Sequence, residues 1–489
     1  MSPSRTALVG GVDVHLDHYV DGARVGSATT FEDRSPIDWS LLLGEVARGD
    51  ADTAAAALAA AAAAAPRWAA LGVEGRAVIL HRLADLIDER TEELAIVECL
   101  DMAMLHESLR ARVIGRGARN FRAYADLARA YEPRRWSSNG TDNTVLRMPA
   151  GPTVVITPWN APFMLSTWKT APALAAGNTV VLKPAEWSPL SCSLLCDLAE
   201  EAGMPPGVLN VVQGIGAEVG AALVADLRVR RISFTGSPAT GVAIGVEAAR
   251  NLVPFTAELG GKGPLLVFAD ADLDAAASTA ARMYDDAGQV CLAGTRLLVE
   301  STVHDAFFER FREATDAHVL GDPRDAATTV SPLIHPDHLA RVEGFVERAR
   351  AAGDEIAFGG RRWKDDALWY EPTLVLPRSN DAEIVQAEVF GPVLTLQRFA
   401  DEDEAVALAN STRYGLSAMV FTTDAARAAR CSEAIRAGTV WTNCFLVRDL
   451  TAPFGGCGIS GIGREGGDYA LDFYSELKTA QVKEGTTHG

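Results

Sequence analysis

Thr153-Val154-Val155-Ile156-Thr157-Pro158-Trp159-Asn160 and, further on, Thr179-Val180-Val181-Leu182-Lys183-Pro184-Ala185-Glu186 decide how this chain folds. Each opens with a short apolar run rich in β-branched residues and closes on turn formers, so each reads as a buried strand. Ser188-Pro189 then opens a predicted helix, with Ser as N-cap and Pro in its first position. Leu194, Leu195, Leu198, Ala199 and Ala202 give that helix one apolar face; Gly203 stops it, and Pro205-Pro206 prevent its return. Residues 209–212 and 232–234 read as two further strands. Strands alternating with helices through short loops imply a parallel sheet covered by helices.

Working outward, the pattern resumes after Gly261. Residues 264–267 read as a strand, Asp272 as a helix cap, 296–300 as a strand and 304–317 as a helix, which makes a second α/β unit. Upstream, the alanine run at 54–66 reads as a helix with N-cap oxygens offered by Asp52 and Thr53. Residues 131–147 break the alternation with Pro, Gly, Asn and Ser, and the tail at 469–482 is long for a loose end. These two outlying pieces are candidate strands of an oligomerisation hairpin.

At 489 residues the chain exceeds what one core usually spans, so two or three domains are expected. A formal charge of −19 repels phosphate backbones and anionic lipid, which argues against nucleic acid as a partner. An anionic substrate would need arginines to capture it locally. The seven cysteines are odd in number and lack CxxC spacing, which fits a reducing cytoplasm better than a disulfide framework. The nine histidines form no HExxH or similar cluster, so no metal site is expected. No signal peptide is read at the start, and the longest apolar run is too short and too weakly hydrophobic to span a membrane.

Candidate chemistry gathers at a few positions. Cys291 sits among small residues in AGQVCLAG, where backbone can approach a ligand, although an isolated cysteine is more often a small buried hydrophobe. Glu258 precedes Leu259-Gly260-Gly261 at the junction of the two units, and clefts between domains are common ligand sites. Asn160 follows a strand, at the end where open α/β sheets bind ligands; its amide serves either as a turn cap or as a donor to a developing oxyanion. Lys183 to Glu186 follow a second strand. Phe234-Thr235-Gly236-Ser237-Pro238-Ala239-Thr240-Gly241 turns a helix N-terminus toward a potential phosphate. No GxGxxG fingerprint accompanies it.

Taken together, PWN (158–160), KPAE (183–186), FTGS (234–237), ELGGK (258–262), GQVC (288–291) and EVFGP (388–392) resemble the aldehyde dehydrogenase superfamily in order and approximate spacing. The resemblance runs from His18-Tyr19 to Glu476-Leu477-Lys478. It implies a Rossmann-like cofactor domain at 1–126 and 148–257, a catalytic α/β domain at 258–455, and a β-extension at 127–147 and 469–489 that joins subunits into a homodimer or homotetramer. It implies Cys291 as nucleophile, Glu258 as general base, and the Asn160 amide with the Cys291 backbone N–H as oxyanion hole. NAD is the implied cofactor. Lys183 and Glu186 would hold the adenosine ribose, where a carboxylate repels the 2′-phosphate of NADP. Gly236, Ser237 and Gly241 would form the phosphate-side turn and Trp159 an adenosine-side contact. Glu388 and Phe390 would hold the nicotinamide ribose and ring, and Thr157 and Leu259 would complete the cofactor cleft.

The stretch 441–467 further resembles the branch that oxidises muconic semialdehydes formed by aromatic ring cleavage. There an arginine at the position of Arg448 would clasp the substrate carboxylate, which suits a planar guanidinium. A second arginine is expected from ARVIGRGARNF, with Arg116 the better match and Arg112 the fallback. The segment 98–106 (ECLDMAMLH) and Cys457 depart from the pattern. The competing readings are a dehydrogenase for aromatic or amino- and betaine-type aldehydes, a CoA-acylating enzyme, which Glu258 argues against, and a catalytically silent protein on the same fold.

Overall fold

A computed structural model describes residues 4–483. Two large sheets organise it. In the first, Phe255–Glu258, Arg231–Thr235, Thr153–Ile156, Val180–Lys183 and Leu209–Val211 lie side by side and run parallel. By chain position their order, as named, is 5-4-1-2-3. The order reverses between Thr153–Ile156 and Arg231–Thr235, and open α/β sheets bind ligands outside the carboxyl ends of strands at such a point. The segments leaving those two ends are Thr157 to Asn160 and Gly236-Ser237. Short antiparallel strands close both edges, His18–Val20 beside Leu209–Val211 and Gly461–Ile462 beside Phe255–Glu258.

The helices of this unit form where the sequence places them, but their caps differ. The alanine-rich helix spans Ala51–Ala70, and its cap is Asp50, which accepts from Thr53 N while the Thr53 hydroxyl accepts from Asp50 N. Asp52 lies in the first turn. Its buried face, Ala54, Ala57, Leu58, Ala61, Ala64 and Trp68, follows the three-to-four spacing of a packed helix. Ser188 does not cap the next predicted helix, which spans Leu190–Glu201. Its hydroxyl donates to the Trp159 carbonyl (3.2 Å), and the Leu190 N–H donates to Asp101 (2.9 Å). A carboxylate from the distant helix Thr91–Met102 thus replaces the local cap. Glu98 of the same helix accepts from Phe163 N at the start of helix Pro162–Ala175.

The strand ending at Glu258 passes through Leu259–Gly263 directly into the second sheet. There Thr373–Leu376, Val393–Phe399, Arg296–Glu300, Pro264–Val267, Ser417–Phe421 and Thr439–Thr442 run parallel, with Glu355–Phe358 antiparallel at one edge. Asp272 caps Leu273–Ala281 as its position predicts. The two outlying pieces meet as strands: Ser475–Lys483 pairs along its length with Thr141–Pro149, which pairs with Arg135–Ser138. Trp136, Met148 and Leu477 remain exposed on this sheet. Residues 1–3 of the expected cofactor domain and 484–489 of the expected extension lie outside the described residues. Among the described residues no single helix is long and apolar enough to cross a membrane.

Candidate active site

Cys291 stands half-buried in the loop leading into Arg296–Glu300, after a tight turn in which Asp286, Ala287 and Gly288 all take positive φ. The strand connection explains the two glycines of ELGGK. A Cβ at Gly261 would stand 2.4 Å from the Cys291 carbonyl oxygen, and one at Gly260 would stand 1.9 Å from Glu388 Oε2. Only bare backbone lets the junction of the sheets approach the cysteine loop this closely. Burial, with the neighbouring Glu388 and Glu258 charges, pushes the Cys291 thiol up to about 12, while Arg448 acts in the opposite direction.

Glu258 ends its strand almost fully buried, and neither carboxylate oxygen has a hydrogen-bond partner among the described residues. Its carboxyl is held well above the usual carboxylate range, first by burial and then by Glu465; Lys169, Arg464 and Arg448 oppose this. Glu465 is itself bound by the Lys169 ammonium, the Trp168 indole N–H and the Ser233 hydroxyl. Gly455, at φ +153°, faces the carboxylate, and a Cβ there would stand 2.7 Å from Glu258 Oε1. An unpartnered, desolvated carboxylate beside a thiol is available for proton transfer.

Asn160 projects from the switch-point loop and donates one amide hydrogen to the Gln289 carbonyl (2.9 Å), two residues before the cysteine. An Asn amide has a second hydrogen to give. Glu388 accepts from Gly261 N (2.7 Å), and burial pushes its carboxyl up to about 7. Phe390 takes φ +61°. Trp159 stands 5.4 Å from Phe390 and 5.9 Å from Trp187, ring centre to ring centre, between the Phe390 loop and the segment that carries Glu186. Two residues not singled out in the sequence brace this loop from helix Pro336–Ala351. His338 hydrogen-bonds the Phe390 carbonyl (2.8 Å), and Arg341 donates to the Glu388 carbonyl (2.7 Å). The His–Pro N-cap of that helix marks its start, yet nothing local shows which loop it supports.

The expected arginines separate. Arg112 lies exposed, donates to Ser108 (2.9 Å) and acts on Asp285 and Asp286 rather than standing beside Arg448. Arg116 and Arg448 converge on Trp168, with guanidinium carbons 5.6 and 5.5 Å from its ring centre, and Arg448 also covers Phe454 at 3.6 Å. Among the described residues neither has an acidic ion-pair partner. Among the described residues the Arg448 side chain makes no hydrogen bond, and the one side-chain bond of Arg116 goes to Asn120 Oδ1 (3.3 Å). Burial lowers both, and for Arg116, which falls to about 10, the neighbouring Arg448 charge is the next cause. Two adjacent cations without counter-ions present a site for an anion.

The other expected residues gather at the switch point. Lys183 is buried and lowered by desolvation; its ammonium reaches the Glu186 carboxylate (3.2 Å) and the Pro184 carbonyl (2.9 Å), which leaves one of its three donors unused. Thr157 N donates to the Lys183 carbonyl (3.2 Å), and its hydroxyl pairs with Ser166. Gly236 N donates to the Glu258 carbonyl (3.1 Å), tying the turn to the base. Ser237 caps Pro238–Arg250 through Thr240 N. The buried Thr235 hydroxyl has no partner among the described residues. Gly241 admits the Leu259 side chain, which a Cβ would meet at 2.8 Å.

A thiol, an unpartnered carboxylate and an amide donor where two parallel sheets join form a site for covalent attack on an electrophilic carbon. The chain matches the aldehyde dehydrogenase family model over residues 24–480 and belongs to that family. It is 41% identical over 483 residues to a 2-hydroxymuconic semialdehyde dehydrogenase of Pseudomonas sp. (strain CF600), covering 96% of this chain and 99% of the relative. It is 40% identical over 473 residues to a betaine aldehyde dehydrogenase of Cereibacter sphaeroides, covering 96% and 97%. The indole-3-acetaldehyde dehydrogenase AldA of P. syringae, solved in complex with NAD+ and IAA, superposes with a TM-score of 0.94 at 36% identity, covering 96% of this chain and 97% of that one.

Proposed function

We propose that this chain oxidises a carboxylate-bearing semialdehyde, of the muconic type, to the acid through a thioester on Cys291, with NAD as acceptor. The observation that carries the substrate reading is the pair of unpaired guanidiniums, Arg116 and Arg448, stacked on Trp168, with Arg448 acting electrostatically on both Cys291 and Glu258. The relative's 2-hydroxymuconic semialdehyde supports it. A betaine-type aldehyde carries a quaternary ammonium, which two cations would repel.

In this reading the Cys291 sulfur attacks the aldehyde carbon as its proton passes to the Glu258 carboxylate, which releases it to solvent before the thioester is hydrolysed. The second Asn160 N–H and the Cys291 backbone N–H donate to the alkoxide, a contribution of about 10²–10³ in rate for one such donor. Glu258, made more basic by burial, takes a proton from the water that hydrolyses the thioester. The unused Lys183 donor and the Glu186 carboxylate suit a ribose diol. The free Thr235 hydroxyl and the turn at Gly236 and Ser237 suit a pyrophosphate, Trp159 beside Trp187 suits the adenosine side, and Glu388 and Phe390 suit the nicotinamide end. NAD, when bound there, supplies the electron acceptor. We assign 1–126 and 148–257 to the cofactor domain, 258–455 to the catalytic domain, and 127–147 with 469–489 to an extension that joins subunits.

The test is steady-state kinetics of Arg448→Ala against a muconic semialdehyde and an uncharged aldehyde. Truncating one partner of a buried charge pair costs about 2–5 kcal/mol, so KM for the anionic substrate should rise at least about 30-fold. An equal change for both substrates overturns the carboxylate reading.

A further inference from the structure

Arg116 has a guanidinium that fits an anion only if it stays where it is, and its neighbour Arg448 repels it. The Asp449 charge and the Trp168 ring oppose that repulsion, and one neutral group holds the guanidinium by a direct hydrogen bond. Asn120 lies one turn on along helix Ile114–Ala130 and is fully buried. Its Oδ1 accepts from Arg116 Nε (3.3 Å). Its amide hydrogens go to Thr167 Oγ1 (3.1 Å) and the Met164 carbonyl (3.4 Å), both on helix Pro162–Ala175. The Thr167 hydroxyl in turn donates to the same Met164 carbonyl (2.9 Å). Trp168, the slab under both guanidiniums, follows Thr167 directly.

Gly117 explains why the two helices approach closely enough for this. A Cβ there would stand 2.6 Å from Phe163 Cε1 and 3.3 Å from Thr167 Oγ1. The amide is therefore clamped to one helix by its donors and presents its acceptor to the arginine of the other. An Asn carbonyl accepts from a guanidinium without cancelling its charge, whereas a carboxylate in that place would neutralise it. Nε is held, and Nη1 and Nη2 stay free for a ligand.

We propose that Asn120 is a positioning residue: it fixes the Arg116 guanidinium over Trp168 with its charge intact, and so sets the preference for carboxylate-bearing aldehydes. The inference rests on the proposed substrate reading and concerns a side chain outside contact with substrate.

The experiment compares the ratio of kcat/KM for a muconic semialdehyde to that for an uncharged aldehyde in Asn120→Ala, Arg116→Ala and the double variant, each with NAD. Asn120→Ala should lower the ratio about tenfold through KM, as expected for losing one hydrogen bond to a charged group. In the Arg116→Ala background the same substitution should lower it no further, because Asn120 acts through that arginine. Asn120→Asp keeps the shape and the acceptor, so it tests the point should the alanine variant fold poorly. Its carboxylate compensates Arg116, and the ratio should fall here too. An unchanged ratio in both Asn120 variants, with a lowered one in Arg116→Ala, overturns the positioning role and leaves Asn120 as helix packing. An unchanged ratio in Arg116→Ala as well as Arg448→Ala overturns the carboxylate reading itself.

Discussion

Glu258 shows how one residue's surroundings set its chemistry. Among the described residues its oxygens lack partners, its burial disfavours the charge, and Glu465 adds a like charge nearby, so its proton is released only at higher pH than an ordinary carboxyl's. The carboxylate form is the one that can act as a base. Under the proposed chemistry, kcat therefore rises with pH over a window displaced upward from the usual carboxylate range. In Glu258→Gln that limb should vanish and kcat should fall by about 10²–10⁴-fold, the worth of a positioned general base. The acyl group should accumulate on Cys291, as intact-protein mass spectrometry would reveal; a preserved pH limb would remove Glu258 from the role. The type and place of this residue were legible from Glu-Leu-Gly-Gly-Lys. Its isolation from partners was not, because Glu465, Lys169 and Gly455 arrive from remote segments.

At the scale of elements, the five-residue passage Leu259–Gly263 between two strands does more than connect them. It brings bare backbone against the Cys291 carbonyl and the Glu388 carboxylate. Gly261→Ala should displace the cysteine loop, and a misplacement of about 1 Å in a reacting group can cost about 10²-fold in rate. We expect kcat to drop by that order while far-UV circular dichroism is retained; full activity would show that the loop absorbs the methyl group. The glycines read in sequence only as a turn. Their reason is a contact across the domain junction, with residues some thirty and more than a hundred positions away. The same holds for the helix cap supplied by Asp101 to Leu190. The local Ser188-Pro189 signal is a sound rule of thumb, overridden because Ser188 is drawn to the Trp159 carbonyl and a buried carboxylate lies closer to the free N–H.

For the whole molecule, the sheet of Arg135–Ser138, Thr141–Pro149 and Ser475–Lys483 leaves Trp136, Met148 and Leu477 in solvent, with Leu477 58% exposed. Exposed apolar side chains on an open sheet invite a partner surface. If this extension joins subunits, Leu477→Asp should reduce the mass measured by size-exclusion chromatography with light scattering, without loss of helix signal; an unchanged mass would place the interface elsewhere. The sequence by itself determined the alternating α/β architecture, strands at 153–156 and 179–182, and the choice of Cys291, Glu258 and Asn160 as candidate groups. These are written in local periodicity and in short motifs that function as units. Only the tertiary structure decided that Arg116 rather than Arg112 joins Arg448, that Trp159 stands with Phe390, and that Asn120 and His338 brace what lies beside them. A helix sequence shows which face a side chain takes, but which charges and rings meet across a cleft depends on how separate elements pack, and local pattern carries no record of that distance.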